Sequence, residues 1–222
     1  MEKMRIQKYL SQEGILSRRE AEDYIRRGLI KLNGKVVREM GVRIDPTKDK
    51  VEVFGNKTGA GKRTLAFNKP RGLKTEDIIG FLPEFEGLNC VGRLDRESEG
   101  LILLSNDGIV TKTVTGNEHL VEKEYEISTQ ENVMNVQMRK MSEGVKLEDS
   151  MTLPAKAEKV SAHAFDLTLK EGRKHQIRRM AAAVNLTVVK LKRVRVGNIT
   201  LSGIPPGKYR LLSPAEALKL KQ

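Results

Sequence analysis

The chain has 222 residues, one cysteine, no tryptophan, and 41 Lys and Arg against 29 Asp and Glu, for a net charge of +12. A lone cysteine excludes an intrachain disulfide and fits a reducing compartment; no run approaches the roughly 18 apolar residues of a membrane-spanning helix, and the opening MEKMRIQKYL lacks the apolar stretch of a signal peptide, so a cytoplasmic protein is expected. The basic excess makes a polyanion, RNA or DNA rather than a membrane, the expected partner, and with aromatics at only 4% the core has to rest on Leu, Ile, Val and Met.

In chain order, MRIQKYLSQEGI predicts a short helix with Ile6, Leu10 and more loosely Tyr9 on one face, ended by Gly14. SRREAEDYIRRG opens with the S-x-x-E spacing of a capping box at Ser17 and Glu20. Ala21, Tyr24 and Ile25 form its inward stripe, and Gly28 is placed to stop it. Asn33-Gly34 between the apolar ends of LIKLNGKVV signals a tight hairpin, and DKVEVFG alternates as a strand. Arg18 and Arg19 stand in the first helical turn, where cations oppose the helix dipole, while Arg26 and Arg27 close the helix. Four arginines on one short helix, two of them poorly placed for stability, predict contacts to RNA phosphates.

Residues 55–63, GNKTGAGKR, read as a flexible linker. They are not a phosphate loop: five residues separate Gly55 from Gly61, and Lys62 is followed by Arg63 instead of Ser or Thr. The expected organisation is therefore a domain over 1–54, a linker over 55–63 and a larger domain over 64–222. In the latter, TLAFNKPRG, LNCVGRLD, LILLSNDG, EKEYEIST, AFDLTLKEG and TVVKLKRVRVGNITL predict strands. NVMNVQMRKMSEG, with Val133, Met134, Met138 and Met141 as its apolar side, HQIRRMAAAVN and SPAEALKL predict helices. Strands predominate and helices intervene irregularly, so the fold class is α+β with a mixed, mainly antiparallel sheet. With no coiled-coil pattern or exposed apolar stripe, a monomer is expected.

Several chemistries fit poorly. His119, His163 and His175 are scattered and neither H-x-x-x-H nor C-x-x-C occurs, so no metal site is expected. Cys90, inside the apolar NCV, reads as core. Asp95, Glu97 and Glu99 lack the separate environments that a two-carboxylate glycosidase needs. Asp95 remains the singular group, set between Arg93 and Arg96 at the edge of the apolar run Leu101–Leu104. In isolation it would be a surface ion pair. Held ionised and aimed by a guanidinium, it becomes a nucleophile or a base. The candidates for that guanidinium are Arg93, Arg96 and the distant EGRKHQIRRM cluster.

MRIQKYLSQEGILSRREAEDYIRRGLIKLNGKVV resembles the small alpha-L RNA-binding domain shared with a small-subunit ribosomal protein and some tRNA synthetases. FNKPRGLKTE, VGRLDRESEGLILLSNDG, EKEYEIS and EGRKHQIRRMAAAVNLTVVKLKRVRVGNITL resemble, in order, the motifs of the RsuA/RluB/RluE/RluF family of rRNA pseudouridine synthases. GNEHLVEKEYEIS and VRVGNITLSGIPPGKYRLL are most similar to the RluF branch. The usual prolines before the lysine of K-x-Y are replaced here by Gly116-Asn117-Glu118-His119.

The resemblance implies that Asp95 is the catalytic aspartate, acting either by covalent attack or by removing a ribose proton. It implies that Tyr125 stacks on the extracted uracil, that Arg178 pairs with Asp95, and that Arg93 and Lys69 bind RNA backbone near the target. The implied reaction turns a uridine into its carbon-linked isomer; atoms are conserved, so neither cofactor nor metal is expected. The implied substrate is ribosomal RNA, 23S favoured, with tRNA as a further candidate. A 16S-directed enzyme of the RsuA branch and a catalytically idle rRNA-binding or assembly factor are the alternatives.

Overall fold

The computed structural model describes residues 3–13, 15–54, 62–116 and 120–221. Most of the expected 55–63 linker, residues 55–61, thus lies outside the described residues. The chain forms two compact units: Met1–Arg63 with Asn106–Ile109, and Thr64–Ser105 with Val110–Gln222.

The first unit contains β1 (Met4–Arg5), α1 (Ile6–Gln12), α2 (Arg18–Arg26), β2 (Ile30–Leu32), β3 (Lys35–Val36), β4 (Arg43–Ile44) and β5 (Val51–Val53). The capping box of α2 forms in both directions: Glu20 N–H donates to Ser17 Oγ at 3.2 Å, and Ser17 N–H to Glu20 Oε2 at 2.6 Å. Gly28 ends the helix at φ +69°. Asn33 and Gly34, at φ +50° and +79°, make the turn between β2 and β3, and two positive φ values in succession are what a type I′ turn demands. Ile6, Leu10, Ala21, Tyr24, Ile25, Ile30 and Ile44 form a small core of their own. Tyr9 packs only at its margin.

The chain continues as β6 (Thr64–Lys69), β7 (Asn89–Val91), β8 (Glu99–Ser105), α3 (Gly108–Thr115), β9 (Lys123–Thr129), α4 (Asn135–Glu143), β10 (Lys156–Ser161), β11 (Ala164–Leu169), α5 (Gln176–Ala183), β12 (Val188–Val196), β13 (Ile199–Thr200), β14 (Tyr209–Leu211) and α6 (Pro214–Lys219). Among the described residues, the strands of the second unit make one nine-stranded sheet. Its order is β10-β11-β9-β12-β8-β6-β14, with β13 on β12 and β7 on β8. Only β12 with β8 is parallel, so the sheet is mixed and mainly antiparallel, and the fold is α+β. The run Leu101–Leu104 is buried on both faces. Ile102 and Leu104 join the core that includes Tyr125, Met138, Met141, Ile177 and Met180, while Leu101 and Leu103 join the core that includes Val110, Val114 and Leu220. Met134, expected on the apolar side of α4, is exposed instead: it precedes the helix, and its N–H donates to Gln137 Oε1 at 2.8 Å.

Between β7 and β8 the chain leaves the sheet for the loop Gly92–Ser98, where LNCVGRLD had suggested unbroken strand. Four consecutive carbonyls of this loop find donors. Arg93 O accepts from Arg193 Nη1 at 3.3 Å, Leu94 O from Thr75 Oγ1 at 2.6 Å, Asp95 O from Ser98 N–H at 3.0 Å, and Arg96 O from Gly72 N–H at 2.8 Å. Lys69 completes the grip from a position with no exposed surface. Its Nζ donates to Leu73 O at 2.7 Å and Pro70 O at 3.0 Å, and reaches Arg96 O at 3.5 Å. Burial pulls the Lys69 ammonium down to about 8, against the opposing pull of the Asp95, Glu97 and Glu99 carboxylates. Gly100, at φ +103°, lets β12 close on this corner, because a Cβ there would lie 2.3 Å from Arg193 O.

Two outcomes follow for stability. Gly100→Ala meets both a backbone clash and a forbidden φ, so chemical denaturation should show a loss of about 3 kcal/mol or more; a variant within about 1 kcal/mol of wild type would contradict the contact. For Lys69, the unfolded chain keeps its proton over a pH window, from about 8 up to the ordinary 10.5, in which the folded chain has released it. Wild-type stability relative to Lys69→Met should therefore rise across that window, by roughly 3 kcal/mol. Denaturation curves of both proteins at the two ends of the window measure it, and a constant difference would refute it.

Candidate active site

The gripped loop presents the Asp95 carboxylate outward, its side chain 36% exposed. The expected partner is not the one observed. Asp95 Oδ2 lies 3.1 Å from His175 Nδ1, and among the described residues no arginine pairs with it. Arg93 reaches Glu76 at 3.3 Å, and Arg96 Nε donates to Gly72 O at 3.2 Å. Glu97 is held by Arg71 at 3.1 Å and Glu99 by Lys190 at 3.1 Å. The cations flanking Asp95 in sequence thus turn to other work.

Arg178 lies on α5, three residues beyond His175, which itself precedes the helix. Its Nη1 donates to Val188 O at 3.0 Å. Its Nη2 is buried and has no hydrogen-bond partner, which for a guanidinium is a costly state that an incoming acceptor relieves. The expected Asp95–Arg178 ion pair is therefore absent in this conformation; the anchorage to Val188 holds the guanidinium instead.

Tyr125 stands in β9, 7% exposed, in the same core as Leu94 and Ile177. In the sheet register Tyr125 is opposite Arg193, and Arg193 is also opposite Gly100. Arg193 is itself buried, its Nε donating to Leu101 O at 2.7 Å. One residue of β12 therefore ties the strand carrying Tyr125 to the loop carrying Asp95. Neither Arg193 nor His175 was singled out in the sequence; the helical spacing of His175 and Arg178 in HQIR was the available signal.

Lys69, expected on RNA backbone, is the clearest correction. It is fully buried and its hydrogens are taken by loop carbonyls, so it cannot meet a phosphate here. Arg93 is exposed at the surface and open to a phosphate once its weak pair with Glu76 yields. A cleft of about 850 Å³ opens on the other side of β9, lined by Glu124, Glu126, Lys190, Lys192 and Arg195, and it does not include Asp95 or Tyr125. Its cations are matched by carboxylates, Lys192 with Glu126 and Arg195 with Glu122 and Glu124. The segment Asn117–His119, part of the departure noted in the sequence, lies outside the described residues.

In the first unit Arg18, Arg19, Arg26 and Arg27 are all exposed. Arg27 makes a loose pair with Asp23 at 3.4 Å, both side chains more than half exposed. Ala21, Tyr24 and Ile25 occupy the buried side of the helix, which leaves the arginines to solvent.

Comparison with known proteins identifies the family. Residues 63–183 match the RNA pseudouridylate synthase family and residues 4–50 the S4 domain. The chain is 35% identical to an uncharacterized RNA pseudouridine synthase of Aquifex aeolicus, over 99% of this chain and 94% of that one. It is 38% identical to the dual-specificity RNA pseudouridine synthase RluF of Escherichia coli, over 98% and 78%, and 33% identical to ribosomal large subunit pseudouridine synthase B of Bacillus subtilis, over 98% and 95%. A crystal structure of a pseudouridylate synthase superimposes with a TM-score of 0.74 at 31% identity, covering 98% of this chain and 99% of the other. With matches spanning both units and the Asp95 loop inside the synthase match, the chain belongs to the RNA pseudouridylate synthase family and carries an S4 domain ahead of the synthase fold.

Proposed function

We propose that this pseudouridine synthase acts on a uridine of 23S ribosomal RNA, with Asp95 as the group that opens the glycosidic bond. The observation that carries the reading is the Asp95 carboxylate, partly exposed on a loop whose backbone is fixed on four successive carbonyls. Fixing the backbone aims the carboxylate, which is what nucleophilic attack at the ribose or removal of a ribose proton both require. The name of the Bacillus subtilis relative supports a large-subunit target, and the dual specificity in the name of the Escherichia coli relative supports a second RNA substrate, for which tRNA is the candidate proposed here.

The chemistry is an isomerisation. The bond from ribose C1′ to uracil N1 breaks, the ring turns, C1′ bonds to C5, and the hydrogen of C5 leaves as N1 gains one. Nothing is consumed, so the protein's tasks are to extract the base, hold it and stabilise charge. Extraction costs a few kcal/mol, and stacking on Tyr125 offsets roughly 1 to 3 kcal/mol. The unpartnered Nη2 of Arg178 is a donor in reserve for the Asp95 carboxylate or for a uracil carbonyl once the base enters. The arginines of α2 supply sequence-independent affinity for phosphates.

The departing C5 hydrogen provides the assay. Native protein should release tritium from 23S rRNA labelled at uridine C5, and Asp95→Asn should bind the same RNA while releasing at least about 10³-fold less. Release from 16S rRNA alone would move the target to the small subunit; release from no RNA would leave a binding factor. Changing Arg18, Arg19, Arg26 and Arg27 together to Ala should flatten the log–log dependence of RNA affinity on salt by about 3, since each lost phosphate contact removes about 0.7 to 0.9 from the slope. An unchanged slope would place the RNA elsewhere.

A further inference from the structure

We infer that His175 is the positioning residue of the Asp95 carboxylate, holding Oδ2 through its Nδ1–H so that Oδ1 faces the ribose. The inference rests on the role proposed for Asp95. The first support is the contact itself: 3.1 Å from Nδ1 to Oδ2, with a carboxylate able only to accept. Asp95 Oδ1 has no partner among the described residues, so the single hydrogen bond from His175 decides how the carboxylate is turned.

The second support is the backbone at His175. It sits immediately before α5 at φ +52° and ψ +26°, the left-handed region that a residue with a Cβ avoids. Such a conformation persists when surrounding structure imposes it, and here that structure is visible. Gln176 Oε1 accepts from Arg173 N–H at 2.9 Å, and Gln176 Nε2 donates to Glu171 Oε1 at 2.8 Å. Arg173 in turn donates to Glu171 at 3.0 Å, to Ser150 Oγ at 2.6 Å and to Met151 O at 2.7 Å. These bonds brace the 171–176 turn, which fixes the backbone from which the imidazole reaches Asp95. The loop bearing Asp95 is fixed from its own side, so the hydrogen bond joins two rigid supports and loses little freedom when it forms.

The third support is the division of labour along α5. Arg178 is tied to Val188 O and leaves Nη2 unpartnered, so His175 alone orients the carboxylate before RNA arrives, and the guanidinium stays available for charge that develops later.

The substitutions can separate backbone from side chain. Glycine adopts a positive φ freely and removes the donor. Asparagine tolerates the same φ and places an amide N–H near the position of Nδ1, whereas aspartate tolerates it too but presents an acceptor and a like charge. Single-turnover tritium release from C5-labelled 23S rRNA, with RNA affinity measured in parallel, should show His175→Gly slowed about 10- to 100-fold with affinity within about twofold of wild type. His175→Asn should recover to within about fivefold of wild type, and His175→Asp should be slower than the glycine variant. The asparagine–aspartate pair carries the test if the glycine variant melts below the assay temperature. A glycine variant at wild-type rate would overturn the inference, as would asparagine no faster than aspartate, or a loss confined to affinity. Wild-type protein silent on every rRNA and tRNA would instead overturn the proposed function, and the inference with it.

Discussion

The site depends on two buried cations that grip backbone. A loop that must present a carboxylate to a large polyanion cannot be buried, yet a loose loop cannot aim anything. Here the conflict is resolved from below: Lys69 and Arg193 lie inside the second unit, Lys69 donating to carbonyls of the 70–73 segment and reaching that of Arg96, and Arg193 donating to the carbonyls of Arg93 and, in β8, Leu101. Burying an ammonium and a guanidinium is unfavourable unless their hydrogens are satisfied. Loop carbonyls, which themselves need donors once water is excluded, are the matching groups. Each side lowers the other's penalty, although Nη2 of Arg193 stays buried without a partner among the described residues, and the surface carboxylate gains a stiff base without having to be buried.

The strand β12 is where these constraints converge. Arg193 stands opposite Tyr125 on one side and Gly100 on the other, and the carbonyl of Val188 at the beginning of the strand holds Arg178. The residues expected to act on the base are thus keyed to one nine-residue strand from different parts of the chain. That Gly100 must be glycine, Arg193 must be buried and the pairing must be parallel are three statements of one close approach.

Local physics made much of this legible in advance. The capping box at Ser17, the Asn33-Gly34 turn, the helix in SPAEALKL and the apolar strand through Leu101–Leu104 each act over a few residues, and each lies where pattern places it. The G-R-L-D stretch marked the loop that carries the candidate site. What failed were assignments that depend on the third dimension. Lys69 looked like any other basic residue before Pro-Arg-Gly; nothing local reveals that its ammonium ends among carbonyls. The Asp95 partner was sought among arginines because charge is visible in a sequence, whereas the left-handed turn that brings His175 forward is not. Five elements go unmarked in the sequence for simpler reasons, three of them, β1, β4 and β14, because two or three residues are too few to show a period. β10 is an edge strand with little apolar alternation to display, and α3, GIVTKTVT, is built largely of β-branched residues whose intrinsic preference is for strand.

The parallel closure of β12 on β8 also orders events during synthesis. Arg193 meets the carbonyl of Arg93 one hundred positions earlier in the chain, so the aspartate emerges from the ribosome long before the residue that steadies it. Until the chain has been made as far as residue 193, the 92–98 loop lacks one of its two inner anchors. An enzyme that breaks glycosidic bonds in RNA, and is born beside RNA, thereby acquires its aim only a hundred residues after its aspartate loop has been made.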